Sequence, residues 1–227
     1  MASPRNDMAE MASARANVYG LLADVFREEP SEALLSQLRE PEFSGALHAL
    51  NLSLDEVFES TSLSELVENL ALEFTRLFIG PGSHISPNES MHVEARSGES
   101  NTLWGPQTVE VKKFMAAAGL TVDDAFSGMP DHISVEFEFM QRLLLKEARA
   151  WADNDPEPGL NILKIETRFY EEHLSQWVSN FCDRVIESTD HIFYRQLSEV
   201  TKGFIDFEKE TLQELISEAE DDDRLSA

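Results

Sequence analysis

The chain has 227 residues, with 43 Asp and Glu against 18 Lys and Arg and a formal charge of −25. That length can bury one substantial core or two small ones, and that charge repels polyphosphate backbones, which argues against nucleic acid and favours basic segments of a partner. No apolar run approaches the roughly 20 residues that span a bilayer, and the single cysteine, Cys182, cannot close an intramolecular disulfide, so a soluble protein of a reducing compartment, without membrane insertion, is expected.

Solubility or adaptation to salt explains the same charge without any partner, and on composition alone it is the plainer account. The N-terminal stretch carries Arg5, Asp7, Glu10 and Arg15 and lacks the apolar core of a secretory signal, so no export is expected.

Apolar residues recur at helical spacing in nearly every segment. A first helix is carried by Val18, Leu21, Leu22, Val25 and Phe26. A second has Leu66, Val67, Leu70, Phe74, Leu77 and Phe78 in steps that form one apolar stripe, and it stops at Gly80-Pro81-Gly82. About 25 residues containing Pro87 and Gly98 follow, and a connection that long inside a compact domain is a functional-loop candidate. Pro106 suits the first position of the next helix, to about Ala118, and Gly119 suits the position after its end. Beyond a loop from about Leu120 to Pro130, Asp131 is placed to cap a long helix whose Ile133, Phe137, Met140, Leu144, Ala148 and Trp151 share a face. The Pro- and Gly-containing stretch from Asp153 to Gly159 ends it.

Two further long helices are expected. One carries Ile162, Ile165, Phe169, Leu174, Trp177, Phe181 and Val185, and the other Ile192, Phe193, Leu197, Val200, Phe204 and Phe207, continuing toward Leu215 and Ile216. The acidic run from Glu218 to Asp223 repels itself and is expected to form a disordered, solvated tail. The expectation is an all-α, multi-helix bundle with long functional loops, a single domain over residues 1–227, with a possible subdomain hinge at 119–131.

Glu89 and His92 form one Glu-x-x-His, but di-iron bundles need two such pairs on facing helices, and this one lies in a proline-containing loop. His132 and Glu136 stand one helical turn apart. The His-Glu-x-x-His arrangement of zinc hydrolases is missing, however, and one cysteine cannot build a thiolate cage, so a structural or capping role is the better account. Gly80-Pro81-Gly82 lacks the Lys-Ser/Thr of a phosphate-binding loop, no Gly-x-Ser-x-Gly elbow occurs, and Cys182 sits in an apolar helical pattern. No catalytic residue, metal or cofactor is therefore expected.

What remains is an acidic helical body with two loops carrying Ile85, Met91, Trp104, Phe126 and Met129. Interhelix packing accounts for these residues first. Alternatively they line a groove flanked by Glu73, Glu89, Glu94, Asp131 and Glu136, in which carboxylates pair with arginines while an apolar run is buried. A generic acidic adaptor for a basic protein stands as the alternative to a peptide-binding groove, and a metal-dependent helical enzyme stands behind both.

The stretch from Glu73 through Leu77-Phe78-Ile79-Gly80-Pro81-Gly82 to Pro87-Asn88-Glu89-Ser90 resembles the TorD/DmsD/NarJ family of redox-enzyme maturation chaperones. Leu103-Trp104-Gly105, Pro130-Asp131-His132 with Glu136-Phe137-Glu138-Phe139-Met140, and His173-Leu174-Ser175-Gln176-Trp177 are similar to the family's later landmarks in the same order. The resemblance implies an all-helical fold with no metal or prosthetic group of its own. It further implies a cytoplasmic, non-enzymatic chaperone, monomer or homodimer, whose partner is the apo-form of a molybdopterin oxidoreductase catalytic subunit and its N-terminal twin-arginine signal peptide. Carried onto matching positions, it implies a peptide-binding surface of Tyr19, Phe74, Leu77, Phe78, Gly80, Pro81, Pro87, Ser90, Trp104, Pro130, Asp131, His132 and Glu136. Within it, the periodic Phe74, Leu77 and Phe78 are expected to support the groove, and His132 to tune affinity by titrating near neutral pH. Met91-His92 departs from the family, where a short apolar residue followed by Tyr is more usual.

Overall fold

A computed structural model describes residues 4–40, 55–59, 61–93, 102–120 and 128–226. Within them the chain is built from helices: α1 (Pro4–Arg27), α2 (Glu32–Leu38), α3 (Asp55–Glu59), α4 (Leu63–Phe74), α5 (Pro106–Ala117), α6 (Ile133–Ala152), α7 (Pro156–Phe169), α8 (Ser175–Ser188) and α9 (Ile192–Ser226). Single π-helical turns, Thr75–Ile79 and Tyr170–Leu174, extend α4 and join α7 to α8. Extended pairing among the described residues is a single antiparallel bridge between Asn88 and His132. No helix among the described residues is long and apolar enough to cross a membrane.

Local chemistry sets the helix ends. Ser31 and Ser62 cap α2 and α4, their hydroxyls accepting from the N–H groups of Leu34 and Glu65, which satisfies donors that the first turn leaves unpaired. α5 starts at Pro106 and is closed by Gly119, whose φ of +71° is a left-handed conformation that favours glycine. α6 differs from expectation at its cap: His132, not Asp131, is the N-cap residue, with its ring accepting from the Ser134 N–H.

α1 packs most extensively against α6, α6 against α7, and α7 and α8 against α9. The α6–α7 corner is tight because Gly159 lies under the Trp151 ring, where a Cβ would come within 2.8 Å of the indole. The π-turn explains why the expected single long helix over Ile162–Val185 is kinked in its register. Its extra residue turns Tyr170, His173 and Leu174 all inward, and the Gln176 side-chain amide donates to the Glu171 carbonyl at 2.8 Å. The structure carries α9 to Ser226, through the acidic run. Leu212, Leu215 and Ala219 extend the helix's buried stripe to the edge of that run.

At the centre of the bundle is a polar cluster that no sequence pattern announced. Arg15 of α1 donates from Nε and Nη2 to the two carboxylate oxygens of Glu208 on α9, both at 2.8 Å, and from Nη2 to Glu166 of α7 at 3.2 Å. Its Nη1 lies 3.7 Å from Glu147 of α6. Tyr19 donates to Glu208 at 3.1 Å and Trp151 to Glu147 at 2.7 Å. Arg15 and the three glutamates are all at most 2% exposed. Burial disfavours the guanidinium charge, but Glu208, Glu166 and Glu147 together outweigh it and hold Arg15 protonated. Burial, then the neighbouring Glu147 charge, pushes the Glu166 carboxyl well above its ordinary range, and burial raises Glu147 as well.

Removing the cation leaves the carboxylates buried without compensation. Arg15→Ala is expected to lower the unfolding free energy by about 3–5 kcal/mol, measured by urea titration at neutral pH, and a loss of under about 1 kcal/mol would show that the four helices do not depend on it.

Candidate functional site

The long connection after α4 is not a free loop in its described part. The π-turn ends where the Gly80 N–H donates to the Thr75 carbonyl at 2.6 Å, and Ile85, itself buried, ties the chain back by donating to the Leu77 carbonyl at 2.7 Å. The segment then lies beside the start of α6: the Glu89 N–H donates to the Asp131 carbonyl and the Ile133 N–H to the Pro87 carbonyl, each at 2.9 Å. Asp131 adds a side-chain bond, accepting the Ser90 N–H at 3.0 Å. The main chains of two distant landmark segments are thereby joined, and α5 packs on the Glu89–Met91 turn.

Under this pairing lies a second buried polar cluster. His173, on the π-turn, contacts Glu89 through Nδ1 at 2.9 Å, and Trp177 of α8 donates from Nε1 to Glu136 at 3.1 Å. Asp131, Glu136 and Glu89 are 0%, 0% and 2% exposed. Burial first, and then the Glu89 charge, pushes the Glu136 carboxyl well above its ordinary range, which favours its neutral form. His92 takes the place where the family more often has Tyr. Its Nε2 meets the Ser86 carbonyl at 2.7 Å, and its ring lies 5.3 Å from Trp177 and 5.7 Å from Phe181.

These positions sort the expected surface by its place in the fold. Pro87, Ser90, Pro130, Asp131, His132 and Glu136 are brought together around the Asn88–His132 bridge. Phe74, Leu77 and Phe78 are core residues beneath the segment, with Phe78 stacked on Phe181 and edge-on to Phe74. Tyr19 is fully buried among Phe137, Phe204 and Glu208. Gly80 is half-buried and Pro81 exposed at the helix end. Trp104 is 67% exposed with a φ of +64°, a strained conformation for a bulky residue, and Leu103 beside it is also exposed.

Three expectations change. Of the carboxylates proposed to flank a groove, Glu89, Asp131 and Glu136 are buried and hold the segment from behind, while Glu73 is tied to Arg76 and Thr189 and Glu94 lies outside the described residues. Of the loop apolar residues, Ile85 is buried, Met91 and Met129 are half-buried, Trp104 alone is strongly exposed, and Phe126 lies outside the described residues. His132 does not titrate near neutrality, because burial pushes it down to about 4 despite Asp131. The Glu89–His92 pair also separates: Glu89 faces His173 whereas His92 faces Ser86, and among the described residues no cluster of three or more His, Cys, Asp or Glu has metal-holding geometry.

His173 and Trp177 were legible only as landmarks, not as site residues. Their signal was the four-residue spacing Phe169, His173, Trp177, Phe181, which the extra residue of the π-turn keeps on one buried face.

Glu136 also carries a pH signature. Its folded value lies above the unfolded one, so the wild type loses stability as pH rises from the unfolded value of about 4.3 toward the folded one. Glutamine mimics the protonated carboxyl and does not titrate. Relative to wild type, Glu136→Gln is expected to gain at least about 1 kcal/mol between pH 5 and pH 8 in urea titrations, and an unchanged difference at both pH values would show that Glu136 is ionised.

Residues 40–183 match the family described as nitrate reductase delta subunit. The chain is 26% identical to the chaperone protein TorD of Shewanella loihica, over 93% of this chain and 99% of that protein. It is 24% identical to the chaperone protein TorD of Shewanella oneidensis, over 90% of this chain and 93% of that one. It is likewise 24% identical to the chaperone protein TorD of Vibrio parahaemolyticus, over 84% and 90%. With its landmark segments joined in one all-helical bundle, the chain belongs to the TorD/DmsD/NarJ family of redox-enzyme maturation chaperones.

Proposed function

We propose that this protein is a cytoplasmic chaperone that binds the twin-arginine signal peptide and the apo-form of a molybdopterin oxidoreductase catalytic subunit, so that export waits until the cofactor is loaded. The observation that carries this reading is the joining of 85–92 to 129–136 through main-chain bonds, with exposed Leu103 and Trp104 at the start of the helix that packs on the same turn. Such a frame offers an apolar, solvent-facing aromatic beside a segment whose path is fixed, which suits an apolar peptide run. The formal charge of −25 suits the arginines that precede that run.

The buried acids act in this reading as the frame's internal supports rather than as direct contacts. Asp131 fixes the Ser90 N–H, and Glu89 and Glu136 bind α6, the π-turn and α8 together. His132 stays neutral at pH 7, so peptide affinity is independent of its titration.

The test is a titration with a peptide bearing Arg-Arg and an apolar run, against the Lys-Lys version, at low and high salt. Saturable binding is expected, weaker in salt but persisting, because screening acts on the charges and not on apolar burial. The Lys-Lys peptide is expected to bind about tenfold more weakly, the factor given by about 1.4 kcal/mol, and Trp104→Ala to weaken both peptides. Binding that vanishes in high salt would instead identify an adaptor held by charge, and no binding to several such peptides would remove the signal-peptide role.

A further inference from the structure

A cleft of about 590 Å³ opens between α5 and the α7–π-turn segment. Its walls carry Phe114 and Glu110 from α5 and Ile165, Arg168, Glu172 and His173 from the other side. The chain's own Arg168 shows what this cleft holds well. Its guanidinium carbon lies 5.1 Å from the Phe114 ring centroid, and Nη2 and Nε donate to Glu172 at 3.1 and 3.2 Å. The Arg168 side chain is nonetheless 64% exposed, so it sits at the mouth and is displaceable.

At the cleft's edge His173 is 4% exposed, and its Nδ1 is taken by Glu89. Glu110 offers a carboxylate that makes no ion pair among the described residues. Lys113, on the same wall, offsets part of that negative charge, so net charge alone does not select the occupant, whereas a planar cation that stacks on Phe114 gains what an ammonium does not.

The cleft lies on the helix that begins two residues beyond the exposed aromatic. From Pro106, two residues beyond Trp104, to Phe114 the helix rises roughly 12 Å, a distance that about four extended residues cover. A peptide whose apolar run lies on Trp104 therefore brings a basic residue a few positions away to Phe114.

We propose that the α5–α7 cleft seats an arginine side chain of the client peptide, stacked on Phe114 between Glu110 and Glu172, and that Arg168 occupies this place when no client is bound. This rests on the peptide-binding reading above for its natural ligand, and its test does not require that peptide. Full-length protein is titrated with N-acetyl-arginine amide and with N-acetyl-lysine amide while the Phe114 and His173 side-chain signals are followed by NMR. Saturable shifts of these signals with the arginine compound only are expected. Arg168→Ala should tighten that binding by about threefold or more, because it vacates the ring and frees Glu172, and Glu110→Gln should weaken it by about threefold. Shifts elsewhere or nowhere, equal response to the lysine compound, or an Arg168→Ala protein that binds no better would each overturn the assignment. If the arginine compound fills the cleft while twin-arginine peptides fail to bind, the cleft stands and the signal-peptide role falls; bound peptides with an unperturbed cleft give the reverse.

Discussion

One buried guanidinium holds the bundle in register. Arg15 reaches Glu208 across almost the whole length of the sequence and also meets Glu166 and Glu147, so α1, α6, α7 and α9 share a single cation. Hydrophobic burial alone tolerates a helix that slides or rotates against its neighbours, because apolar surfaces are non-directional. A bidentate pair with Glu208 does not tolerate it, because both 2.8 Å bonds are lost together when the helices shift. The desolvation cost of burying this cluster is moderated by the upward shift of Glu166, which favours its neutral form and brings the cluster nearer neutrality.

α6 carries that constraint to the candidate site. Glu147 belongs to the Arg15 cluster, and Glu136, 11 residues earlier in the same helix, belongs to the cluster under the loop, roughly 16 Å away along the axis. A rigid helix thus has one polar anchor near each end. At the second anchor the segment 85–92 is fixed by main-chain bonds above and by Glu89–His173 below. The α5–α7 cleft lies on the helix that packs against this fixed segment and the exposed Trp104 immediately precedes that helix, so both are presented from a stationary support.

The helices themselves were legible because their apolar residues repeat at helical spacing and their ends carry recognisable residues. Pro106 and Gly119 bracket α5 as expected, and the core role of Phe74, Leu77 and Phe78 follows from their spacing. The polar interior was not legible. Arg15 sits among alanines with nothing local to distinguish it from a surface arginine, and its partners lie in three other helices. For the same reason Glu89, Asp131 and Glu136 read as surface acids, since pairing with a histidine and an indole tens of residues away leaves no periodic trace. The π-turns were hidden too: one added residue changes which side chains face inward without changing composition. The cap moved from Asp131 to His132 because the Asp131 carboxylate is drawn to the Ser90 N–H of the paired segment, a contact that exists only in the folded chain.

The segment 85–92 follows its path through bonds made mainly by peptide groups. A carbonyl at position 87 and an N–H at 89 are supplied by almost any residue, so the route of the chain is insulated from the side chains it displays. Divergence can therefore rewrite the outward-facing chemistry of this loop without re-inventing the scaffold that carries it.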